Sequence, residues 1–304
     1  MKNLTLEHIA DACHGIYIGP EEARNICVTA ITSDSRKVEE GCLFVPIVGA
    51  RADGHTFISQ VMEAGAGCTL SEKELGDVSF PYIKINSSLQ AVKDIAAYYL
   101  EQLQIPVIGI TGSVGKTSTK EMIAAVLEQK YRVLKTQGNF NNELGLPLTV
   151  FRLRDEDEIA VLEMGISDFN EMHRLAAIAK PNTCVITNIG TCHLENLGDR
   201  DGVLKAKTEV FDPLKPNATV ILNGDDDMLC VSVRDWGVGI PRMSRSLIYS
   251  RYVRLDNHKS DVKGFGLGLS YVHLVAQSFG GSIAMEECGG VGSKFVLKIP
   301  DDND

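Results

Sequence analysis

The chain has one tryptophan, only 6% aromatic residues and no surplus of positive charge: 30 Lys and Arg stand against 40 Asp and Glu, a formal net charge of −10 over 304 residues. The lack of a basic surplus argues against a general nucleic-acid binder or a membrane-surface protein, both of which need a positive field. No apolar run is long enough to span a bilayer, so no membrane insertion is expected. The first ten residues carry Lys2, Glu7 and His8 and no long apolar core, so no secretory signal is read there. The eight cysteines (13, 27, 42, 68, 184, 192, 230 and 288) are scattered, with no Cys-x-x-Cys. Without disulfide-frame or zinc-site spacing, they point to a reduced, cytoplasmic setting. Internal repeats and low-complexity linkers are also missing. What remains is an ordinary globular composition, 44% hydrophobic and 23% charged, in a length that suits two or three domains.

Short strand and helix signals alternate along the chain. Strands are expected at 28–33 and 42–46. A helix is expected at 56–64, where Phe57, Ile58, Val61 and Met62 recur at helical spacing. A longer helix is expected at 87–102, capped by Ser88, with Leu89, Val92, Ile95, Ala96 and Leu100 as its apolar stripe. After Pro106 come a strand at 107–110, a helix at 116–129 and strands at 132–136 and 159–162. A helix at 170–179, a strand at 184–188, a helix at 202–211 and a strand at 218–222 follow. Alternation of this kind predicts an α/β protein with a mostly parallel sheet and helices on both faces. Ligands of such sheets gather at the carboxyl ends of the strands, where Thr111, Glu163 and the loop 188–193 fall.

The richest stretch is Ile110-Thr-Gly112-Ser-Val-Gly115-Lys-Thr-Ser118. Strand, glycine turn and helix start together make a phosphate cradle: glycines let backbone N–H groups approach an anion, and the helix dipole favours negative charge. Gly112, Ser113, Gly115, Lys116, Thr117 and Ser118 are the expected nucleotide contacts. Lys116 would reach the outer phosphates and the Thr117 hydroxyl would sit on Mg²⁺. Ile110 stands where the strict pattern has a further glycine. Glu163, at the end of an apolar strand, is a second candidate Mg²⁺ ligand. His193 sits at another strand end. Lys205 and Lys207 share a helix, and spacing alone does not separate them.

The glycine turn continues as Thr119-Lys-Glu-Met122. It is followed by Gly138-Asn-Phe-Asn-Asn-Glu-Leu-Gly-Leu-Pro-Leu-Thr149, Leu162-Glu-Met-Gly165, Thr187-Asn-Ile-Gly-Thr-Cys-His-Leu-Glu195 and Ala206-Lys-Thr-Glu209. This ordered set resembles the Mur ligases of peptidoglycan synthesis, most of all the MurF type. Upstream, Asp34-Ser-Arg36, Gly41-Cys-Leu-Phe44 and Asp53-Gly-His55 resemble that family's domain for a uridine-nucleotide sugar. The resemblance covers about residues 1–228, truncated against the family's three-domain plan. It implies ATP and Mg²⁺ as cofactors, and UDP-N-acetylmuramoyl-tripeptide and D-alanyl-D-alanine as substrates, joined through an acyl phosphate. It further implies Lys116, His193 and Lys207 as catalytic residues, and Thr117, Glu163, His193 and a carbamylated Lys207 around the metal. Asn142 would lie by the nucleotide, and Ser35, Arg36, Asp53, His55 and Asn139 by the sugar substrate.

Beyond about 228 the pattern changes. Asp235-Trp-Gly237-Val-Gly239, Gly264-Phe-Gly266-Leu-Gly268 and Gly289-Gly-Val-Gly292 resemble the C-terminal part of a sensor histidine kinase ATP-binding domain. The resemblance implies that the box of Asp235, Gly237 and Gly239 reads the adenine amino group through its aspartate, and that the loop of Gly264, Gly266 and Gly268 meets the phosphates. The charge changes too: nine Lys and Arg against eight Asp and Glu in 229–304 leave the acid excess upstream. The expected organisation is a small α/β UDP-sugar domain at 1–86, a truncated P-loop sheet domain at 87–228 and a partial α/β sandwich of histidine-kinase ATPase type at 229–304. Residues 229–233 can either extend the ligase sheet or begin the kinase one. The expected function is an ATP-dependent amide ligase impaired by the truncation. The alternatives are a kinase-type ATP-binding signalling module or an inactive fusion.

Overall fold

A computed structural model describes residues 1, 3–49, 52–224, 226, 228, 231–234, 239–253, 267–278, 281–286 and 292–298. The chain divides into two compact units, Met1–Ile221 and Leu222–Asp304.

The first unit holds two sheets. Its N-terminal sheet is built from β1 (Ile16–Ile18), β2 (Ile31–Thr32), β3 (Leu43–Phe44), β4 (Cys68–Ser71) and β5 (Tyr82–Lys84), in the order β1-β5-β4-β3-β2. All neighbours run parallel except β1, which pairs antiparallel to β5. Helix α1 (Leu6–Ala12) is capped by the Thr5 hydroxyl, which accepts from His8 N–H at 3.2 Å. Helix α2 (Ile58–Glu63) presses Ile58 and Val61 onto Cys42 and Phe44. Each such side chain, fully buried, stabilises the fold by about 1.5–3 kcal/mol. The strands around 31 and 43 are two residues long, shorter than their apolar runs predict, and a 3₁₀ turn at Gly54–Phe57 precedes α2.

Helix α3 (Ser88–Leu103) leads to the second sheet. Its cap is Ser87, whose hydroxyl accepts from Gln90 N–H at 3.3 Å; the expected cap, Ser88, is instead the first helical residue and buried. The buried face is Ala91, Val92, Ile95, Ala96, Tyr99 and Leu100. Leu89, expected in that stripe, is exposed, because the inward face at the first turn falls to Ser88.

The central sheet contains β6 (Val107–Thr111), β7 (Val133–Lys135), β8 (Ile159–Glu163), β9 (Thr183–Ile186) and β10 (Thr219–Leu222), in the order β10-β9-β6-β8-β7. β6 pairs parallel with both β8 and β9, and β7 pairs parallel with β8. Every residue of β8 is buried, as expected of a strand covered on both faces. The connecting helices are α4 (Lys116–Leu127), α5 (Gly145–Val150), α6 (Glu171–Ala179), α7 (Leu194–Leu197) and α8 (Arg200–Thr208). Ile123 and Leu127 of α4 pack on Ile110, Ile159, Val161 and Val185 of the sheet. The register sets Ile110 opposite Glu163 and Thr111 opposite Ile186, so three strands end together at one edge.

In the second unit, β11 (Val231–Arg234), β12 (Ser282–Glu286) and β13 (Lys294–Lys298) form an antiparallel sheet in the order β11-β13-β12. Helix α9 (Gly268–Ser278) packs on β12. Residues 231–234 therefore join this sheet and do not extend the central one.

Candidate functional site

The site lies where β6, β8 and β9 end. Ile110 is fully buried within β6, which explains why no glycine stands there: the strand continues past it, and the turn begins at Gly112. Gly112 takes φ +143°, and a Cβ there would fall 1.9 Å from Thr187 Oγ1, so no side chain fits. Gly115 caps α4 in the left-handed region at φ +79°. The first bond of α4 runs from Thr119 N–H to Gly115 O. The N–H groups of Lys116, Thr117 and Ser118 therefore have no carbonyl within the helix and point out at its positive end.

The loop is braced from β9. Ser113 N–H donates to both the carbonyl and the Oδ1 of Asn188, each at 3.0 Å, and Val114 N–H donates to the same Oδ1 at 2.9 Å. Thr187 Oγ1–H donates to Val114 O at 2.6 Å. Gly190 N–H donates to Ser113 Oγ at 2.7 Å, and the Cys192 thiol donates to the same oxygen at 3.2 Å. Lys116 Nζ folds back on its own loop, donating to Gly112 O at 2.8 Å and Ser113 O at 3.3 Å.

Glu163 is 2% exposed yet carries three side-chain neighbours. Thr117 Oγ1–H donates to one carboxylate oxygen at 3.0 Å, and Asn141 Nδ2–H donates to the other at 2.9 Å. Lys120 Nζ stands 4.0 Å away and also donates to Thr136 O at 2.7 Å. Asn141 comes this close because Gly165 lacks a side chain; a Cβ at Gly165 would meet the Asn141 amide at 3.0 Å.

A cleft of about 470 Å³ opens beside this cluster, lined by Lys116, Asn141, Asn142, Cys192, His193 and Lys207 among others. His193 caps α7 at φ +56°. Lys207 is 1% exposed, and no carboxylate among the described residues pairs with it. Burial, with Lys116 nearby, pulls its amine down to about 8, although Cys192 acts in the opposite direction. Lys205, by contrast, lies over the Phe169 ring at 5.7 Å. Glu143, also on the cleft wall, is held below the usual carboxylate range. Burial opposes this, but Arg174 and Lys93 both donate to it.

The sequence-expected residues do not all converge. Lys116, Asn142, His193 and Lys207 line one cleft, with Thr117 and Glu163 directly behind. Ser118 is an exposed residue of the first turn of α4. Asn142 Oδ1 also accepts Gly145 N–H, at the first residue of α5, at 2.8 Å. Asn139 is exposed and outside the cleft wall; the asparagine that reaches Glu163 is Asn141. Asn141 and Lys120 were missed. The available signal for Lys120 was its place four residues after Lys116, on the same helix face.

The N-terminal candidates stand apart from this cleft. Asp34 binds the Arg36 guanidinium at 2.8 Å and drops to about 2 because of it, and Ser35 lies in the turn between them. Asp53 accepts from His55 Nδ1 at 2.6 Å and from Lys73 Nζ at 2.8 Å. His55 Nε2 accepts Glu72 N–H at 3.1 Å, which fixes the proton of the neutral ring on Nδ1. A second cleft, about 430 Å³, joins Asp34 and Lys37 to Phe140, Thr149 and Arg152; Ser35, Arg36, Asp53 and His55 are not in its wall. In the second unit, Gly239 takes φ +71° and approaches the Gly292 carbonyl, and Gly268 opens α9. Asp235, Gly237, Gly264 and Gly266 lie outside the described residues.

A parallel sheet whose glycine loop opens a helix, with a buried carboxylate on the helix-start threonine, defines an α/β domain of the P-loop type. Family profiles agree: "Mur ligase family, catalytic domain" matches residues 28–108 and "Mur ligase middle domain" matches 110–252. The first three quarters of the chain belong to the Mur ligases, of the MurF type. A third profile, "Histidine kinase-, DNA gyrase B-, and HSP90-like ATPase", matches 203–303 and overlaps the second. The UDP-N-acetylmuramoyl-tripeptide–D-alanyl-D-alanine ligase of Bacillus subtilis is 42% identical over 227 residues, 74% of this chain and 50% of that protein. The MurF crystal structure from Acinetobacter baumannii superposes with a TM-score of 0.68 at 33% identity, over 74% of this chain and 49% of that one. The MurF ligase of Thermotoga maritima, solved with ADP, gives 0.61 at 35% identity over 64% and 46%. The chain thus spans about half the length of the curated relatives it matches. Among the described residues no helix is long and apolar enough to cross a membrane.

Proposed function

We propose that the first unit binds Mg²⁺-ATP at the β6–α4 loop and belongs to an amide-forming ligase. Its substrates are those of its relatives, a UDP-N-acetylmuramoyl-tripeptide and D-alanyl-D-alanine. One observation carries the reading: Thr117 and Asn141 both donate to the buried Glu163 carboxylate, an oxygen-rich cluster beside the free N–H groups of α4. This donor set suits Mg²⁺, a hard cation that takes oxygen ligands and keeps several waters. Gly115 leaves open space where any other residue would place a Cβ, so an anion has room at the helix start.

When bound, Mg²⁺-ATP supplies an electrophilic phosphoryl group and charge neutralisation for making an acyl phosphate. The chain's own groups prepare for this. Lys116 leaves its loop carbonyls to meet the outer phosphates. Thr117 and Glu163 hold the cation side, with His193 in reach of the cleft. Lys207, with an amine near 8, spends an appreciable fraction neutral, the form needed to capture CO₂ as a carbamate. Its buried, unpaired position suits conversion from a cation to an anion near the metal. Relatives run to about twice the matched length, while residues 203–303 here fit an ATPase profile. We therefore expect nucleotide binding by the part present here.

The test is ADP titration with and without Mg²⁺, followed by D-alanyl-D-alanine-dependent phosphate release. Binding that ignores Lys116→Ala overturns the site, and nucleotide binding without any dipeptide-dependent phosphate release leaves the ligase reading without support. A second reading, a kinase-type ATP module, has the match at 203–303 and the α9–β12 layer in its favour. It predicts that Asp235→Ala abolishes ATP binding while Lys116→Ala does not.

A further inference from the structure

We infer that Cys192 is a site of reversible thiol–disulfide exchange, selective for anionic disulfides, whose modification closes the phosphate loop to nucleotide. The second half of this statement rests on the nucleotide reading above; the first does not. Among the described cysteines, Cys13, Cys42, Cys68 and Cys184 are buried, Cys27 is exposed at the surface and Cys192 is half-buried. Cys192 alone of these lines the 470 Å³ cleft. Its thiol donates to Ser113 Oγ at 3.2 Å, so the sulfur touches the phosphate loop itself.

The cleft wall says what kind of reagent it takes. Lys207, 1% exposed, faces the same space with no carboxylate partner among the described residues, and Lys116 stands on the wall beside it. The two acids of the wall are already engaged. Glu143 accepts from Lys93 and Arg174, and Glu171 accepts Ser167 N–H at 2.6 Å and Asp168 N–H at 3.2 Å. As long as Lys207 is the free amine and not a carbamate, it and Lys116 beside a reachable sulfur favour a disulfide that carries carboxylates.

The exchange needs no other oxidant. The Cys192 sulfur attacks one sulfur of the disulfide, a new S–S bond forms and the old one breaks. The departing half leaves as a thiol with the proton Cys192 gives up. Excess thiol runs the step backwards. The adduct removes the thiol donor from Ser113 and puts a bulky anion beside Lys116, where outer phosphates would lie.

The full chain is treated with the dianionic dithiobis(nitrobenzoate) or the dicationic cystamine, and the Cys27 and Cys192 peptides are followed by mass. The aromatic reagent carries the better leaving group at any thiol, so the two cysteines are compared: the anionic-to-cationic rate ratio should be roughly tenfold higher at Cys192 than at Cys27, and that excess should shrink in high salt. ADP should protect Cys192. The modified protein should lose ADP binding and regain it with dithiothreitol. In Cys192→Ser the reagent should leave the ADP titration unchanged, and Cys27→Ser should behave as wild type. An unlabelled Cys192 beside a labelled Cys27, an anionic-to-cationic rate ratio no higher at Cys192 than at Cys27, or undiminished ADP binding by the labelled protein would each overturn the inference. Should the untreated protein bind no ADP, the nucleotide reading fails on its own, and the labelling rates still decide whether Cys192 is the exchange site.

Discussion

The edge of the central sheet and the loops of the N-terminal sheet both concentrate charged residues, but they settle them in opposite ways. In the N-terminal loops the candidate residues are paired with one another or with a neighbour: Asp34 with Arg36, Asp53 with His55 and Lys73. Arg36 keeps 86% of its side chain in solvent, and the Asp53 triangle is complete without a ligand. At the central edge the groups are buried and incompletely matched. Lys207 has no acid partner among the described residues, and Glu163 accepts only neutral donors within 3.0 Å, with Lys120 a full 4.0 Å away. Burying charge without a close partner destabilises a fold, so such an arrangement marks a candidate functional site. Paired, exposed charge needs no such explanation.

That contrast can be broken most readily at Lys116. Lys116→Ala removes a charged donor from the phosphates and should weaken ADP binding roughly 10- to 100-fold, read by calorimetry. Glu163→Gln keeps the size and one acceptor but loses the charge. It should abolish the Mg²⁺ dependence of nucleotide binding with a smaller change in affinity for the metal-free nucleotide.

Lys207→Met sharpens the argument from the stability side. The folded amine titrates near 8, below the ordinary 10.5. Between those values the unfolded chain binds more protons, so stability rises with pH across that window, and the full penalty is present below about 8. The methionine variant should flatten this rise and gain up to about 3 kcal/mol below pH 8 in denaturant melts, while losing any bicarbonate-dependent activity. A variant less stable than wild type at pH 7 would remove the reason for treating Lys207 as an unmatched charge.

His55→Ala should cost about 1 kcal/mol by leaving Glu72 N–H without its acceptor, with no effect on ADP binding. The smallest effect is expected for Arg36→Ala. Thermal melts should barely move, and any change should be confined to binding of the uridine nucleotide.

Much of this edge can be read from residue order. Strand, glycine turn and helix start place Gly112, Gly115, Lys116 and Thr117, and the run ending at Glu163 turns that residue toward them. The asparagines of 138–142 could not be sorted in the same way. Asn139, Asn141 and Asn142 are chemically identical, and only the backbone path past Gly165 decides which one meets Glu163. Ser87 and Ser88 present the same ambiguity one residue apart; the cap falls to the one with extended backbone. The short strands at 31–32 and 43–44 were overestimated because apolar runs continue beyond the paired residues. In the second unit the order of strands and the direction of pairing are clear, and the departure of 231–234 from the central sheet came from register, which composition does not encode.

The crossed bonds between Ser113–Val114 and Thr187–Asn188 span more than seventy residues of sequence and leave little slack between them. Two loops held in this way behave as one rigid plate. An anion that tugs on the helix start must also shift the segment carrying Cys192 and His193, so occupancy on one side can be reported on the other without a hinge.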